Sequence, residues 1–200
     1  MCSWCWGFAP AWQRLQQQLP EEIVVQYLVG GLAPDSNEPM PPSMQRFLQQ
    51  TWHKIEQHIP SQGFNHQFWE QCQPRRSTYP ACRAVLAAKQ IDPALEKTMI
   101  AAIQQAYYQR AMNPSDEDTL LKLAEELTLD KKTFHHWLHH PQIEERLQQE
   151  IEQCRQLGGN SFPSLVLVAH QKAHPISIDY NDETPMLRAI LHLHEAAANA

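Results

Sequence analysis

Residues that favour β-strands are confined to the two ends of this chain, and well over a hundred residues of helical pattern lie between them. Ile23-Val24-Val25-Gln26-Tyr27-Leu28-Val29 is short and β-branched, bounded by Pro20 and Gly30-Gly31, which predicts a buried strand. Ser164 to Ala169 is apolar on both faces, and His174 to Asp179 alternates over a shorter run. A chain with that distribution can build only one small sheet, and it must close the sheet from both ends. The expected architecture is α/β: a discontinuous lobe of residues 1–32 and 158–200, with a helical domain of residues 33–157 inserted.

The helices follow from periodicity and punctuation. Phe8, Trp12, Leu15 and Leu19 recur at three and four before Pro20, so residues 1–19 read as a helix. A proline-rich loop at 33–42 leads into helices over 43–59, 80–90 and 93–111, the last with Leu95, Met99, Ile103 and Tyr107 on one face. Ser115 and Asp118 form a capping-box pattern before Leu120, Leu121, Ala124 and Leu127. Asp130 is placed to cap the next helix, which runs through Leu138. Pro141 sits at a first turn, and Ile143, Leu147, Ile151 and Cys154 make a stripe that ends at Gly158-Gly159. Thr184-Pro185 opens a last helix.

Composition narrows the function. Hydrophobic residues are 42 % and charged residues 19 %, a globular balance. The net charge of −6 lacks the basic surplus of a nucleic-acid binder, so no nucleic-acid partner is expected. No apolar run approaches the roughly 20 residues of a membrane span, and no secretory leader pattern is visible, so no membrane partner is expected either. Five cysteines, an odd number at low density, argue against a disulfide scaffold.

The chemistry-bearing motif is Cys2-Ser3-Trp4-Cys5 at the first turn of the first predicted helix. Free N–H groups and the helix dipole favour a thiolate at that position. The first cysteine is then the exposed nucleophile, and the second, one turn inside, resolves the mixed disulfide. A zinc site there needs a second ligand pair, and no second C-x-x-C or C-x-x-H stands in the chain, so no metal is expected. Phe162-Pro163 lies directly before the strand Ser164–Ala169, where a proline is unusual unless its geometry, such as a cis bond, is wanted.

Together these features resemble the thioredoxin fold. The strings Cys2-Ser3-Trp4-Cys5-Trp6-Gly7-Phe8, Ser77-Thr78-Tyr79-Pro80-Ala81-Cys82-Arg83-Ala84 and Phe162-Pro163-Ser164-Leu165-Val166-Leu167 resemble the DsbA family, in its FrnE-like branch of protein disulfide isomerases. The resemblance covers nearly the whole chain. It implies a thioredoxin fold with a large all-helical insertion, and Cys2 and Cys5 as the nucleophile and its resolving partner. It implies that Ser3 and Trp4 tune the potential and that Pro163 is a cis-proline beside the disulfide. Phe162 then lines the groove for an extended substrate. The implied activity is thiol–disulfide oxidoreductase or isomerase on protein thiols and disulfides or glutathione-type small thiols, with no cofactor and no metal, in a bacterial cytoplasm.

One departure from the family stands out. Its C-x-x-C helix follows a central strand, and a strand needs about 5–6 residues, whereas Met1 alone precedes Cys2. The expectation is a chain shortened at its start, with the first strand of the fold missing. Such a chain is marginal, rearranged or completed by another strand, and an unpaired edge invites a homodimer.

The remaining features have plainer readings. Cys72 and Cys82 could form a second redox pair, but two reduced thiols are the simpler expectation; Cys154 reads as a buried structural thiol. His135/His139 and His136/His140 have metal-ligand spacing, yet no carboxylate or cysteine motif completes a site and Pro141 breaks the helix at once, so a solvated polar face is expected. Trp52 and Tyr107-Tyr108 read as core; of the tryptophans flanking the motif, Trp4 is the one expected to meet substrate. Arg75-Arg76 reads as a solvated loop. Two other functions compete: a glutathione-dependent isomerase or transferase of a small aromatic substrate, whose branches favour serine at the nucleophile position, and a partner-binding adaptor that uses the helical insertion.

Overall fold

The structure is a computed structural model that describes residues 1–198. Helix α1 (Ser3–Gln16) is followed by α2 (Pro42–His58), the single turn α3 (Phe68–Gln71), α4 (Tyr79–Ile91), α5 (Leu95–Tyr108), α6 (Glu117–Glu126), α7 (Lys131–Leu138) and α8 (Pro141–Gln156). Strands β1 (Leu165–Ala169) and β2 (Lys172–Ile176) then form an antiparallel hairpin, and α9 (Thr184–Ala198) closes the order. No described helix is long and apolar enough to cross a membrane.

Helix α1 persists through Pro10, which cannot donate to the carbonyl four residues earlier. That carbonyl, on Trp6, accepts instead from the buried Gln62 side chain at 2.7 Å. Phe8, Ala11 and Leu15 of α1 pack with Met186 and Ile190 of α9 and Ile176 of β2, so the two ends of the chain share one core. A second core lies among α4 to α7, with Met99, Ile103, Leu120, Leu123 and Phe134 at its centre. Ile143, Leu147 and Ile151 of α8 close over Leu86 of α4. Trp52, Phe68, Tyr107 and Tyr108 make an aromatic cluster against Trp6.

Several sequence expectations change. Ile23–Val29 forms no strand, and Val24 is exposed where a buried strand is expected, because among the described residues no strand lies beside it. Its end is held by the helical region instead: the Val29 N–H donates to the Glu150 carboxylate at 3.0 Å. The Ala33 N–H donates to the Thr78 hydroxyl at 2.9 Å. The second strand of the hairpin starts at Lys172, ahead of the predicted His174, because His170 and Gln171 turn the chain in two residues, both at positive φ. The capping box does not form. Asp116 occupies the cap position without a side-chain bond, and the Ser115 hydroxyl donates to the Ser77 carbonyl. Asp130 does cap α7, accepting from the Thr133 N–H at 2.8 Å. Arg75 is no solvated loop residue, since it donates to the Ser115 carbonyl and pairs with Asp116 at the start of α6.

Candidate active site

Cys2 occupies the N-cap of α1 in extended conformation (φ −102°, ψ 121°), and its carbonyl accepts the Cys5 N–H at 3.1 Å. This placement follows from the sequence: one polar residue, Ser3, opens the helix, and the apolar residues behind it anchor the first turn. Ser3 is buried, and its hydroxyl accepts the indole N–H of Trp52 at 3.0 Å. Ser3 therefore fixes the start of the helix against the aromatic cluster; its side chain does not line an open face. Behind it, Trp6 donates to the Gly63 carbonyl at 3.2 Å and stacks on Tyr108.

The two thiols differ in kind. All five cysteines are free. A hydrogen bond from the Cys5 thiol lowers the Cys2 pKa from 9.0 to about 6, against the opposing effect of burial, with the Cys5 and Trp4 N–H groups adding to the lowering. Cys5 is pushed well above its usual range by that same hydrogen bond and by burial. One thiol is thus ready to attack near neutral pH, and the other holds its proton.

Opposite Cys2 stands the loop before β1. The Phe162–Pro163 peptide is cis, and the Phe162 carbonyl accepts from the Cys2 thiol at 3.2 Å. Both residues are half-buried. The Phe162 ring is seated on the extended segment: a Cβ at Gly30 would stand 2.0 Å from its edge, so only glycine fits there. Trp4 is half-buried and packs on Tyr180, ring centroids 5.0 Å apart. Burial and the neighbouring Cys2 and Cys5 thiols push the Tyr180 phenol up to about 12. Tyr180 went unnoticed in the sequence because it lies in the loop between β2 and α9, where no periodicity marks it.

The other thiols lie apart from one another. Cys72 donates to the Ala111 carbonyl at 3.0 Å, while Cys82 lies on α4 facing α8. Cys154 is half-buried, not fully buried, and donates to the Gly159 carbonyl.

Known proteins share this fold. The family model described as Thioredoxin matches residues 1–187. A candidate protein disulfide isomerase from Nitrosomonas europaea superposes with a TM-score of 0.84 at 28 % identity, covering 98 % of this chain and 93 % of its own. The cytosolic disulfide reductase DsbM from Pseudomonas aeruginosa superposes with a TM-score of 0.77 at 22 % identity, covering 98 % and 95 %. The ClpXP adapter protein SpxH of Bacillus subtilis is 22 % identical over 165 residues, which are 82 % of this chain and 54 % of that protein. The chain thus spans about half the length of that curated relative. With the helix-borne C-x-x-C, the facing proline loop and the inserted helices in place, the chain belongs to the thioredoxin family.

Proposed function

We propose that this chain is a thiol–disulfide oxidoreductase in which Cys2 attacks and Cys5 resolves. The observation that carries the reading is the asymmetry of the pair: a Cys2 thiol at a helix N-cap with a pKa near 6, beside a Cys5 thiol that stays protonated. The Cys2 thiolate attacks one sulfur of a substrate disulfide, forming a mixed disulfide and releasing the other sulfur as a thiolate. Cys5 then attacks the Cys2 sulfur as its proton leaves. A Cys2–Cys5 disulfide forms and the second substrate thiol departs, so two electrons pass to the substrate. Two glutathione-type thiols return the pair to its reduced state. When a second substrate thiol resolves the mixed disulfide in place of Cys5, the same attack isomerises a protein disulfide.

Phe162, Pro163 and Trp4 are the proposed substrate contacts, since they surround Cys2 and are only half-buried. A small thiol as reductant is supported by the likeness to DsbM, which has also been solved with GSH. A cytoplasmic setting is proposed on the same likeness. A second reading, a partner-binding adaptor, is favoured by the match to SpxH.

Trapping separates the two readings. Cys5→Ser exposed to oxidised glutathione should accumulate one glutathione on Cys2, visible by mass, and reduced wild-type chain should accumulate a Cys2–Cys5 disulfide. Failure of both adducts would sink the redox reading and leave the adaptor.

A further inference from the structure

The fold supplies what the histidine run lacks in sequence. Glu117 is the first residue of α6, His135 lies in the last turn of α7, and His139 is the C-cap of α7. The two short helices form an antiparallel hairpin through Leu127 to Asp130, with Thr128 at positive φ in the turn. The hairpin brings the start of α6 back to the end of α7. The i, i+4 spacing puts both imidazoles on one face. The result is a side-chain cluster drawn from positions 22 residues apart.

The geometry is convergent. His135 Nε2 lies 3.2 Å from one Glu117 carboxylate oxygen, and His139 Nε2 lies 2.9 Å from the other. Both Nε2 atoms therefore face the same carboxylate, from rings tilted by 55° to each other. All three ligand atoms lie within 4.8 Å of one another. A tetrahedral zinc ion with bonds of about 2.0–2.2 Å needs its ligands about 3.4 Å apart, which small rotations of exposed side chains supply. A cavity of about 110 Å³ borders Glu117 and His139 and leaves room for the water that three protein ligands require as a fourth. Arg83 lines the same cavity, but its guanidinium is neutralised by Asp35 and Glu144.

From this juxtaposition we infer that Glu117, His135 and His139 form a binding site for a divalent transition-metal ion of the zinc class, one that staples α6 to α7. Two imidazoles and one carboxylate are a borderline donor set that suits Zn²⁺ and disfavours Mg²⁺ and Ca²⁺. Donation to the carboxylate puts each ring proton on Nε2; an ion is bound by the other tautomer, in which the proton sits on Nδ1 and the Nε2 lone pair is given to the metal. A second cluster, His53, Glu56 and His66, is a poorer candidate. Its two rings stack nearly parallel at 15° and 4.4 Å, and a Glu56 oxygen already accepts the Phe64 N–H.

Titration calorimetry with ZnCl₂ tests the site on the full chain carrying Cys2→Ser and Cys5→Ser, which removes the thiolates as rival ligands. One ion should bind per chain and raise the melting temperature. Glu117→Gln and His139→Ala, at exposed positions, should each weaken binding by at least the roughly 10–100-fold that loss of even an outer-shell partner costs. Glu56→Gln should leave it unchanged. No binding, binding indifferent to Glu117→Gln and His139→Ala, or binding lost with Glu56→Gln would each overturn the proposal.

Discussion

Cys2→Ser should reduce thiol–disulfide exchange by roughly 10³-fold or more, to the rate of the buffer thiols alone, the scale on which loss of an activated nucleophile is felt. In the wild-type chain, alkylation of Cys2 should rise with pH and reach half its limiting rate near pH 6, the value set chiefly by the Cys5 hydrogen bond. At pH 7 about nine-tenths of Cys2 is then thiolate, against about a hundredth for a thiol at its ordinary value. Cys5→Ala should move the alkylation midpoint upward, because the largest cause of the lowering, the hydrogen bond from the Cys5 thiol, leaves with the side chain. The folded-state pKa lies below the unfolded value, so the thiolate stabilises the reduced fold fully above about pH 9, and that contribution is lost as pH falls through about 6. An alkylation midpoint at the ordinary thiol value in the wild-type chain would contradict the account of Cys2.

Trp52→Ala should be the most damaging single change to the fold. The side chain is fully buried, meets Phe64, Trp69 and Tyr108 within 6 Å ring to ring, and donates to the Ser3 hydroxyl. Truncating such a residue costs about 3–5 kcal/mol, or about 6–20 °C in melting temperature for a chain of this size. Trp52→Phe keeps most of the ring and removes the indole N–H, so about 1–3 kcal/mol is expected from the unmet Ser3 hydroxyl alone. Because Ser3 opens the helix that carries Cys2, the phenylalanine variant should also loosen the motif. Its Cys2 alkylation midpoint should shift upward while the chain stays folded. Thermal denaturation alongside pH-dependent alkylation checks both effects; unchanged melting in Trp52→Ala would remove the aromatic cluster from the account.

The residues that carried the site in sequence were those whose chemistry depends on local spacing. Cys2 and Cys5 sit one helical turn apart, and Pro163 marks its own position before β1, so all three could be placed from neighbours alone. The helices were legible for the same reason, since three- and four-residue spacing and proline or glycine punctuation are local signals. What failed was long-range. Ile23–Val29 has strand-forming residues, but a strand exists only beside another strand, and its Val29 N–H found Glu150 instead. Ser115 had the sequence of a capping residue, but its hydroxyl reached Ser77 across a loop. The histidines of α7 had ligand spacing, but their carboxylate came from the far end of α6. Tyr180 and Gly30 shape the surroundings of Trp4 and Phe162 from loops, where residue type alone gives no position.

Whether Cys2 and Cys5 work as one redox pair is decided by thiol labelling of the chain equilibrated in a series of glutathione buffers of defined ratio. A single transition is expected in which both thiols become protected together, with two electrons per chain, abolished by either serine substitution. Two separate one-thiol transitions, or continued labelling of both cysteines under fully oxidising conditions, would contradict it.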